Sequence, residues 1–543
     1  MIRAPERAAG ARARWRRLAP PAPAAILIAL AGALGACLAM RLVMVLSPIG
    51  RLDADEAVTA IMAERILDGD LYAFYAGQNY LGTAEQYLQA AVFAVAPDTA
   101  TSLRVAQVVL AVLACGLVYL LATRVTASRW GGVLAAALFA VGPYYNVFKG
   151  SRSHGAYAIA AVLVAAIAIL ALRVDPRSRR APAVAAAFGL LCGLALWQST
   201  LTAYVVIPAV LWALASARGH LRSLVPIGIG GAIVGAAPFI AHRLVHGLFV
   251  GTGRPPQFPS TYAQRMDNLV QPVSEMFLGV KAIGGVPVAG WAPPAWVLLA
   301  ALTALAAAAW VRRRGLWALV TLRREGRRPI DLVLASFLVA PLLYGLSDFT
   351  WYAGEPRYLF TLYPSLAVAA AALVLRAPRR IAPVLGVALI GVALALSAIQ
   401  IDDAIAGDGY PPVIDGGLVL EEDMPEVARA LERDGVDAVY AGYWLAYPLQ
   451  FAAGDELAVS PYGDQRFPAL DAEVATSPEP PAYVTPLGEG AAQVRRGLRA
   501  LGTGFSERRV ESVVVFSDLS QRRVPAEVLA AGAAPPPEAP AAP

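Results

Sequence analysis

Pro23–Leu46 reads PAAILIALAGALGACLAMRLVMVL, and the chain then turns at once into Leu52-Asp53-Ala54-Asp55-Glu56-Ala57. About 20 helical residues cross the hydrocarbon of a bilayer, so the first stretch is long enough to span. A cleaved signal peptide has a shorter apolar core and a small-residue cleavage site. Arg3, Arg7, Arg12, Arg14, Arg16 and Arg17 precede the stretch, which puts the N-terminus on the cytoplasmic side and the acidic run on the outer side.

Ten further apolar runs follow, at roughly 104–123, 130–148, 156–172, 182–198, 203–217, 224–241, 291–311, 330–347, 358–375 and 381–400. With sides alternating from an inside start, the inside loops are 124–129, 173–180, 218–222, 312–328 and 376–380. Each is rich in Arg, as short cytoplasmic loops are. The predicted fold is therefore a polytopic α-helical membrane protein with about eleven spans. Tyr80–Pro97 (YLGTAEQYLQAAVFAVAP) is short and carries Glu85, Gln86 and Gln89, so it reads as a helix lying in the outer interface.

Composition agrees. Of 543 residues 58% are hydrophobic and only 15% charged, against about 25% charged in soluble domains; mean hydropathy is +0.56. Disorder, a collagen-like chain and a disulfide-stapled secreted domain are excluded. The net charge of +6 is modest, and no nucleic-acid partner is expected. Cys37, Cys115 and Cys192 lie inside apolar runs without metal-ligand spacing and read as small core residues.

The expected organisation is a basic cytoplasmic N-terminus at 1–22 and a membrane domain at 23–400, with outer loops at 47–103 and 242–290. The second loop is Gly/Pro-rich (Gly251, Gly253, Pro255, Pro256, Pro259) and of a length that suits covering a substrate groove. An extracytoplasmic α/β domain follows at 401–530, then a disordered Pro/Ala tail at 531–543. In the α/β part, 425–433 and 491–501 read as helical, and 436–440, 456–459 and 512–516 as extended.

The spans carry little charge, whereas an ion-coupled transporter places carboxylates or broken helices near the midplane. Unusual polar residues sit instead at outer ends. Asp53, Asp55 and Glu56 put three carboxylates within four residues, beside apolar helix ends and near a helix N-terminus. An Asp there can take a proton from an attacking hydroxyl. A solvated acidic loop is the plain alternative, and Asp53 with Asp55 would also ligate a divalent cation if one is used; no cofactor is firmly indicated. Lys149, Arg152 and His154 follow the third run. The two cations suit a lipid phosphate or simple snorkelling equally, and His154 has no metal partner spacing. Trp351–Tyr358 leads into the tenth run, with Arg357 at the rim and Trp351 in an interfacial belt. Tyr443, Trp444 and Tyr447 suit a face packed toward the membrane part.

These residues carry a resemblance. An N-inside first span ends in Asp55-Glu56, a long outer loop follows, and Arg357-Tyr358-Leu359 with Tyr363-Pro364 enters a late span. Gly77–Glu85 and Tyr440–Tyr447 with Phe451 are similar to one bacterial branch of the same group. About residues 25–470 thus resemble the GT-C-fold glycosyltransferases of the family-39 type, relatives of dolichyl-phosphate-mannose protein mannosyltransferase and aminoarabinose transferase. Two features depart from it: the basic-Pro-Pro motif of the first loop is replaced by Tyr80–Glu85, and an acid after the third span by Arg152 and His154.

The resemblance implies an inverting transfer at the outer face of the cell membrane. The sugar leaves a polyprenyl-phosphate carrier for a hydroxyl acceptor on a protein, lipid or cell-envelope glycan. Asp55 is then the base, with Asp53 and Glu56 assisting. Glu85, Lys149, Arg152, His154, Arg357 and Tyr358 form the expected substrate-binding set. A lipid or glycan transporter without covalent chemistry is the rival from another class. A third reading is a structural membrane protein whose tail binds partners.

Overall fold

The computed structural model describes residues 23–247, 258–288, 294–409, 413–414 and 417–533. The basic N-terminal arginines, Gly251, Gly253, Pro255, Pro256 and the tail from 534 lie outside the described residues.

The membrane part is helical. It opens with α1 (Pro23–Val45), α2 (Ala54–Leu67), α3 (Ala84–Phe93), α4 (Ala100–Thr126), α5 (Arg129–Val141) and α6 (Tyr144–Lys149). Then come α7 (Tyr157–Ala171), α8 (Ala181–Gln198), α9 (Ala203–Ser216), α10 (Leu221–Gly235), α11 (Ala237–His246), α12 (Tyr262–Asn268) and α13 (Ser274–Phe277). It closes with α14 (Pro294–Val320), α15 (Ile330–Leu346), α16 (Tyr363–Val374) and α17 (Ala382–Ala406). Among the described residues, six helical segments are long and apolar enough to cross a membrane: α1, α4, α8, α14, α17, and α16 taken with the 3-10 turn before it. The bent pair α10–α11 makes a seventh, and α5, α7, α9 and α15 are shorter apolar helices.

Four expectations are corrected. The run at 130–148 is two helices, because Pro143 has no N–H to continue α5 past Gly142. The run at 224–241 bends by 66° between α10 and α11, with Pro238 in the first turn of the second piece. The Arg-rich stretch expected as a loop from 312 begins as helix: α14 continues to Val320, and Arg312 Nε reaches the buried Asp331 carboxylate at 2.7 Å. Arg is a good helix former, and a paired guanidinium tolerates burial. The segment at 258–278, within the expected outer loop 242–290, is largely helical. Arg265 anchors it to Gly345 O at 2.9 Å and to Asp348.

The charge-poor spans also hide buried cations, Arg41 and Arg104. Arg41, fully buried in α1, donates to Ala140 O at 2.5 Å and lies 5.7 Å from the Phe139 ring centroid. Close packing relies on glycine where backbones meet: a Cβ on Gly189 of α8 would sit 1.8 Å from Gly228 O of α10.

The C-terminal region starts with a short hairpin, β1 (Val413–Ile414) and β2 (Gly417–Leu418). It continues through α18 (Met424–Arg433), β3 (Ala438–Ala441), α19 (Tyr443–Ala453), β4 (Ala458–Pro461), α20 (Pro468–Thr476) and β5 (Ala482–Pro486). It ends with α21 (Glu489–Ala500), β6 (Ser506–Val510), β7 (Val513–Ser517) and α22 (Pro525–Ala531). The sheet order is β4-β3-β5-β7-β6, parallel in β4-β3-β5 and antiparallel beyond.

Strand residues alternate between faces. Val439, Val459, Val484 and Val515 pack with Leu445 and Leu449 of α19. Tyr440, Tyr483 and Phe516 share the opposite core with Tyr447, α20, α21 and the α2 residues Ala57, Val58 and Ile61. The helix carrying the acidic run is thus packed into the core of the C-terminal sheet, which positions the candidate site.

Candidate active site

The acidic run begins a helix. Asp53 is extended (φ −106, ψ 175), and its Oδ1 accepts the Glu56 N–H at 3.0 Å, so it is the N-cap of α2. Asp-x-x-Glu is a capping pattern, the sequence signal for this geometry. Asp55 and Glu56 are then consecutive helical residues, about 100° apart around the axis, and point to different surroundings.

Glu56 points inward and is fully buried. It accepts from Arg104 Nε (3.0 Å) and Nη2 (2.5 Å), Arg152 Nε (3.1 Å) and Nη2 (2.7 Å), and Ser153 N (2.8 Å). Burial alone would raise its pKa, but Arg104 and Arg152 outweigh that and hold it at about 2. Asp53 Oδ2 accepts from Arg152 Nη2 at 3.0 Å and sits 2.9 Å from His154 Nε2. Burial raises this acid too, but His154 and Arg152 together keep it well below the ordinary range. The turn that supplies Arg152, Ser153 and His154 ends at Gly155, whose φ is +88 and where a Cβ would come within 3.1 Å of Tyr75 and Leu81.

Asp55 points outward, its side chain 40% exposed against none for Glu56. Its Oδ1 accepts the Tyr443 hydroxyl at 2.6 Å, and Arg466 Nη2 lies 4.0 Å away. Among the described residues nothing donates to Oδ2. Of the three carboxylates, only this one keeps an open oxygen. Glu56, expected to assist Asp55, holds two guanidiniums together, and Asp53, expected to do the same, caps the helix.

A second group lies one turn along. Glu355 accepts from Tyr145 Oη at 2.9 Å, pairs with Arg357, and sits 3.7 Å from Lys149 Nζ. Lys149 stands 5.3 Å from the Tyr157 ring centroid, and Arg357 4.7 Å from that of Tyr352. Burial would raise Glu355, yet Lys149 and Arg357 bring it to about 2. Two cations thus face one anion, and Arg357 is the open member at 36% exposure. Lys149 and Arg152 lie three residues apart on one segment, so both groups share a scaffold. Tyr358 is not among these polar contacts; its ring meets Tyr344 edge-on at 6.1 Å.

Glu85 departs from expectation. It is fully buried on α3 with Gln86, Gln89 and the α4 residue Gln107, and none of their side-chain oxygens or amide nitrogens makes a close hydrogen bond. Its side chain offers no accessible surface in this arrangement. Burial, only partly offset by Gln107 and the peptide groups of Ile159 and Gly155, pushes it up to about 8. A carboxyl raised from 4.5 to 8 costs stability increasingly as pH climbs through that window. Glu85→Gln is expected to raise the melting temperature, with a gain over wild type that grows from pH 5 to pH 8. Melting curves at both pH values check it, and a constant difference would show Glu85 already satisfied.

Three ligand atoms from Asp53, Glu56 and His154 lie within 4.8 Å of one another. Asp55, expected to join Asp53 if a divalent cation is used, is not a member of this triad. The triad as arranged does not fit a dication, because Arg152 donates to both carboxylates and would face the ion's charge. Sequence reasoning missed Arg104, Glu355, Tyr443 as an Asp55 partner, and Arg466. Arg104 sits within an apolar run and Arg466 in a tail without a motif; a buried-charge signal existed only for the first.

Comparison with known proteins agrees with this architecture. Residues 84–242 match the family model described as dolichyl-phosphate-mannose-protein mannosyltransferase. The fold is similar to that of ArnT from Cupriavidus metallidurans bound to undecaprenyl phosphate (TM-score 0.57, 13% identity, 92% of this chain and 99% of that one). It is also similar to the oligosaccharyltransferase AglB from Archaeoglobus fulgidus in complex with an inhibitory peptide and a dolichol-phosphate (0.51, 12%, 91% and 74%). A further structure of the Archaeoglobus fulgidus oligosaccharyltransferase, in complex with Zn and sulfate, gives 0.50 and 12%, covering 90% of this chain and 73% of that one. No curated protein sequence matches the chain. These likenesses show the fold that the chain shares with ArnT and the oligosaccharyltransferase, and a mannosyltransferase-like segment at residues 84–242.

Proposed function

We propose that the chain is an inverting glycosyltransferase that moves a sugar from a polyprenyl-phosphate carrier to a hydroxyl acceptor. The observation that carries this reading is the division of labour among the three carboxylates. Asp53 and Glu56 are occupied by Arg152, Arg104 and His154, while Asp55 keeps one oxygen open and the second group sets two cations, Lys149 and Arg357, against the single anion Glu355.

The acceptor oxygen attacks the anomeric carbon, its proton goes to Asp55, and the carbon–oxygen bond to phosphate breaks with the electron pair leaving on phosphate. Phosphate is a good leaving group and needs little acid help. Arg357 and Lys149 face the charge that grows on it, where oriented cations act most strongly. Arg152 and His154 act one step back, by fixing the N-cap from which Asp55 projects. In this reading all eleven apolar segments span, the N-terminus is cytoplasmic, and the site opens at the outer face of the cell membrane. The Arg-rich inside loops support that orientation.

The deciding experiment gives the purified full chain undecaprenyl-phosphate mannose labelled in the sugar, with a membrane extract as acceptor source. Label recovered on a hydroxyl-bearing product, with free undecaprenyl phosphate, is the expected result. Label that crosses a liposome bilayer still attached to its lipid would establish the transporter reading instead. Because Arg152 occupies the only metal-like group among the described residues, transfer is expected to proceed equally in EDTA; a loss restored by a divalent cation would reverse that assignment.

A further inference from the structure

We infer that the C-terminal α/β region completes the catalytic site: Tyr443, oriented by Arg466, is the positioning residue that decides which oxygen of Asp55 faces the acceptor. The inference rests on Asp55 as the base only for its catalytic consequence; the contact itself stands on geometry.

Tyr443 opens α19 directly after β3, and the sheet core around Leu445 and Leu449 fixes that helix. Its hydroxyl has one proton to give and lone pairs to accept with. Arg466 Nε and Nη2 donate into the oxygen at 3.3 and 3.1 Å. A guanidinium has no acceptor, so the phenolic proton is directed to the other neighbour, Asp55 Oδ1 at 2.6 Å. Hydrogen bonds to an ionised carboxylate are short and strong.

Arg466 is itself held from two sides. Its peptide N–H donates to Tyr447 Oη at 2.7 Å and its Nη1 to Ala76 O at 3.4 Å. The Gln78 carboxamide, oriented to suit both of its faces, accepts from Nη1 at 2.9 Å. Gly77 has φ +72, and a Cβ there would press on Arg466 Cδ at 3.1 Å. Tyr75, under the guanidinium at 5.9 Å, donates its own hydroxyl to Asp55 O at 2.7 Å.

One polar chain therefore runs from Gln78 through Arg466 and Tyr443 to Asp55, and it joins three separate parts of the sequence. It pins Oδ1 and leaves Oδ2, on a side chain that is 40% exposed, without a donor among the described residues. Removing the hydroxyl frees the carboxylate to rotate, and small losses of alignment at a reacting group are costly in rate.

The test uses full-length Tyr443→Phe, which keeps the ring contacts with Trp444 and Tyr447. Purified protein is treated at one fixed pH with a water-soluble carbodiimide and glycine ethyl ester, and the 52–65 peptide is read by mass spectrometry with site-resolved fragmentation. Labelling of Asp55 is expected to rise about ten-fold, the scale of one hydrogen bond to a charged group, with Asp53 and Glu56 no more labelled than before and the melting temperature unchanged. Equal Asp55 labelling in both proteins overturns the inference. A rise at all three acids also does, since it would mean that Tyr443 only holds the region in place. If the Phe variant is not recovered folded, Arg466→Lys takes its place, because an ammonium keeps the charge but loses the two-point grip on the Tyr443 oxygen; the same selective rise is expected.

With undecaprenyl-phosphate mannose as donor, kcat of Tyr443→Phe should fall about ten-fold at unchanged donor KM. An active Asp55→Asn variant together with raised Asp55 labelling in Tyr443→Phe would sink the base and spare the contact. An inactive Asp55→Asn with unchanged labelling would do the reverse.

Discussion

Asp55→Asn is expected to abolish transfer, with a loss of about 10²- to 10⁴-fold, the usual contribution of a general base. Asn keeps the size of the side chain, and its amide oxygen can still accept the Tyr443 hydroxyl, but it takes no proton from an acceptor. The side chain is 40% exposed, its pairing with the buried Arg466 is long at 4.0 Å, and Arg466 keeps its contacts with Tyr443, Ala76 and Gln78, so the variant should insert, purify and melt as wild type does. Transfer rates from labelled undecaprenyl-phosphate mannose on variant and wild type, normalised to folded protein, check it. A wild-type rate in the variant would remove Asp55 from the chemistry. The same substitution in a transporter would have no reason to touch bond cleavage.

The second large effect concerns stability. Glu56→Ala removes the only carboxylate that touches both Arg104 and Arg152 among the described residues, and leaves two buried guanidiniums facing each other. Removing one member of a buried ion pair typically costs about 3–5 kcal/mol, because the remaining charge stays buried without compensation. That is a large share of a protein's net stability, so the Ala variant is expected to be recovered poorly.

Glu56→Gln is milder and shows the pH dependence. Glu56 sits at about 2 in the folded chain, below its usual 4.5. A depressed carboxyl contributes stability above 4.5 and loses it as pH falls toward 2. Linkage makes the full contribution on the order of 3 kcal/mol. Wild type should therefore melt well above Glu56→Gln at pH 7, and the gap should narrow as pH drops below 4.5. A gap independent of pH would mean that shape rather than charge holds the network. The Glu85→Gln pair of measurements runs in the opposite sense, its gain widening as pH rises, so the two buried acids can be told apart in one set of melts.

The two effects separate because neighbouring acids on one helix do different work. Asp55 is a variant for rate and Glu56 for fold, although they are adjacent in sequence and share an N-cap. Arg152 links both: it grips Glu56 and Asp53, and through the cap it sets the direction in which Asp55 leaves the helix.

Much of this was legible locally. Apolar runs long enough to span announce helices at Pro23–Val45, Ala100–Thr126 and Ala382–Ala406, because hydrocarbon demands an unbroken apolar stretch with its backbone internally bonded. Breaks were harder to read. Gly142-Pro143 and Pro238 interrupt runs whose hydropathy continues, and α14 passes through three arginines that hydropathy alone assigns to water. At the site, Asp53, Asp55 and Glu56 stood out by density, and Lys149, Arg152 and Arg357 as cations at helix ends. Their roles did not, since spacing says nothing about which of two neighbouring carboxylates turns inward. Glu85 illustrates the same gap: an acid beside two glutamines on a short apolar stretch reads as part of a helix in the outer interface, but its side chain is fully buried together with Gln107 of α4.

By itself the order of residues determined the class of the molecule, the places where helices start, and the cluster of acids that matters, since all three follow from interactions within a few residues of chain and from the bilayer acting as solvent. Only the tertiary structure decided which acid stays open, for that choice is made by Arg104, Arg152, Tyr443 and Arg466, the first some 50 residues and the last some 400 residues along the chain. Charges so far apart in sequence meet only when the core that carries them has packed, and whether a carboxylate is consumed or left free depends on those meetings.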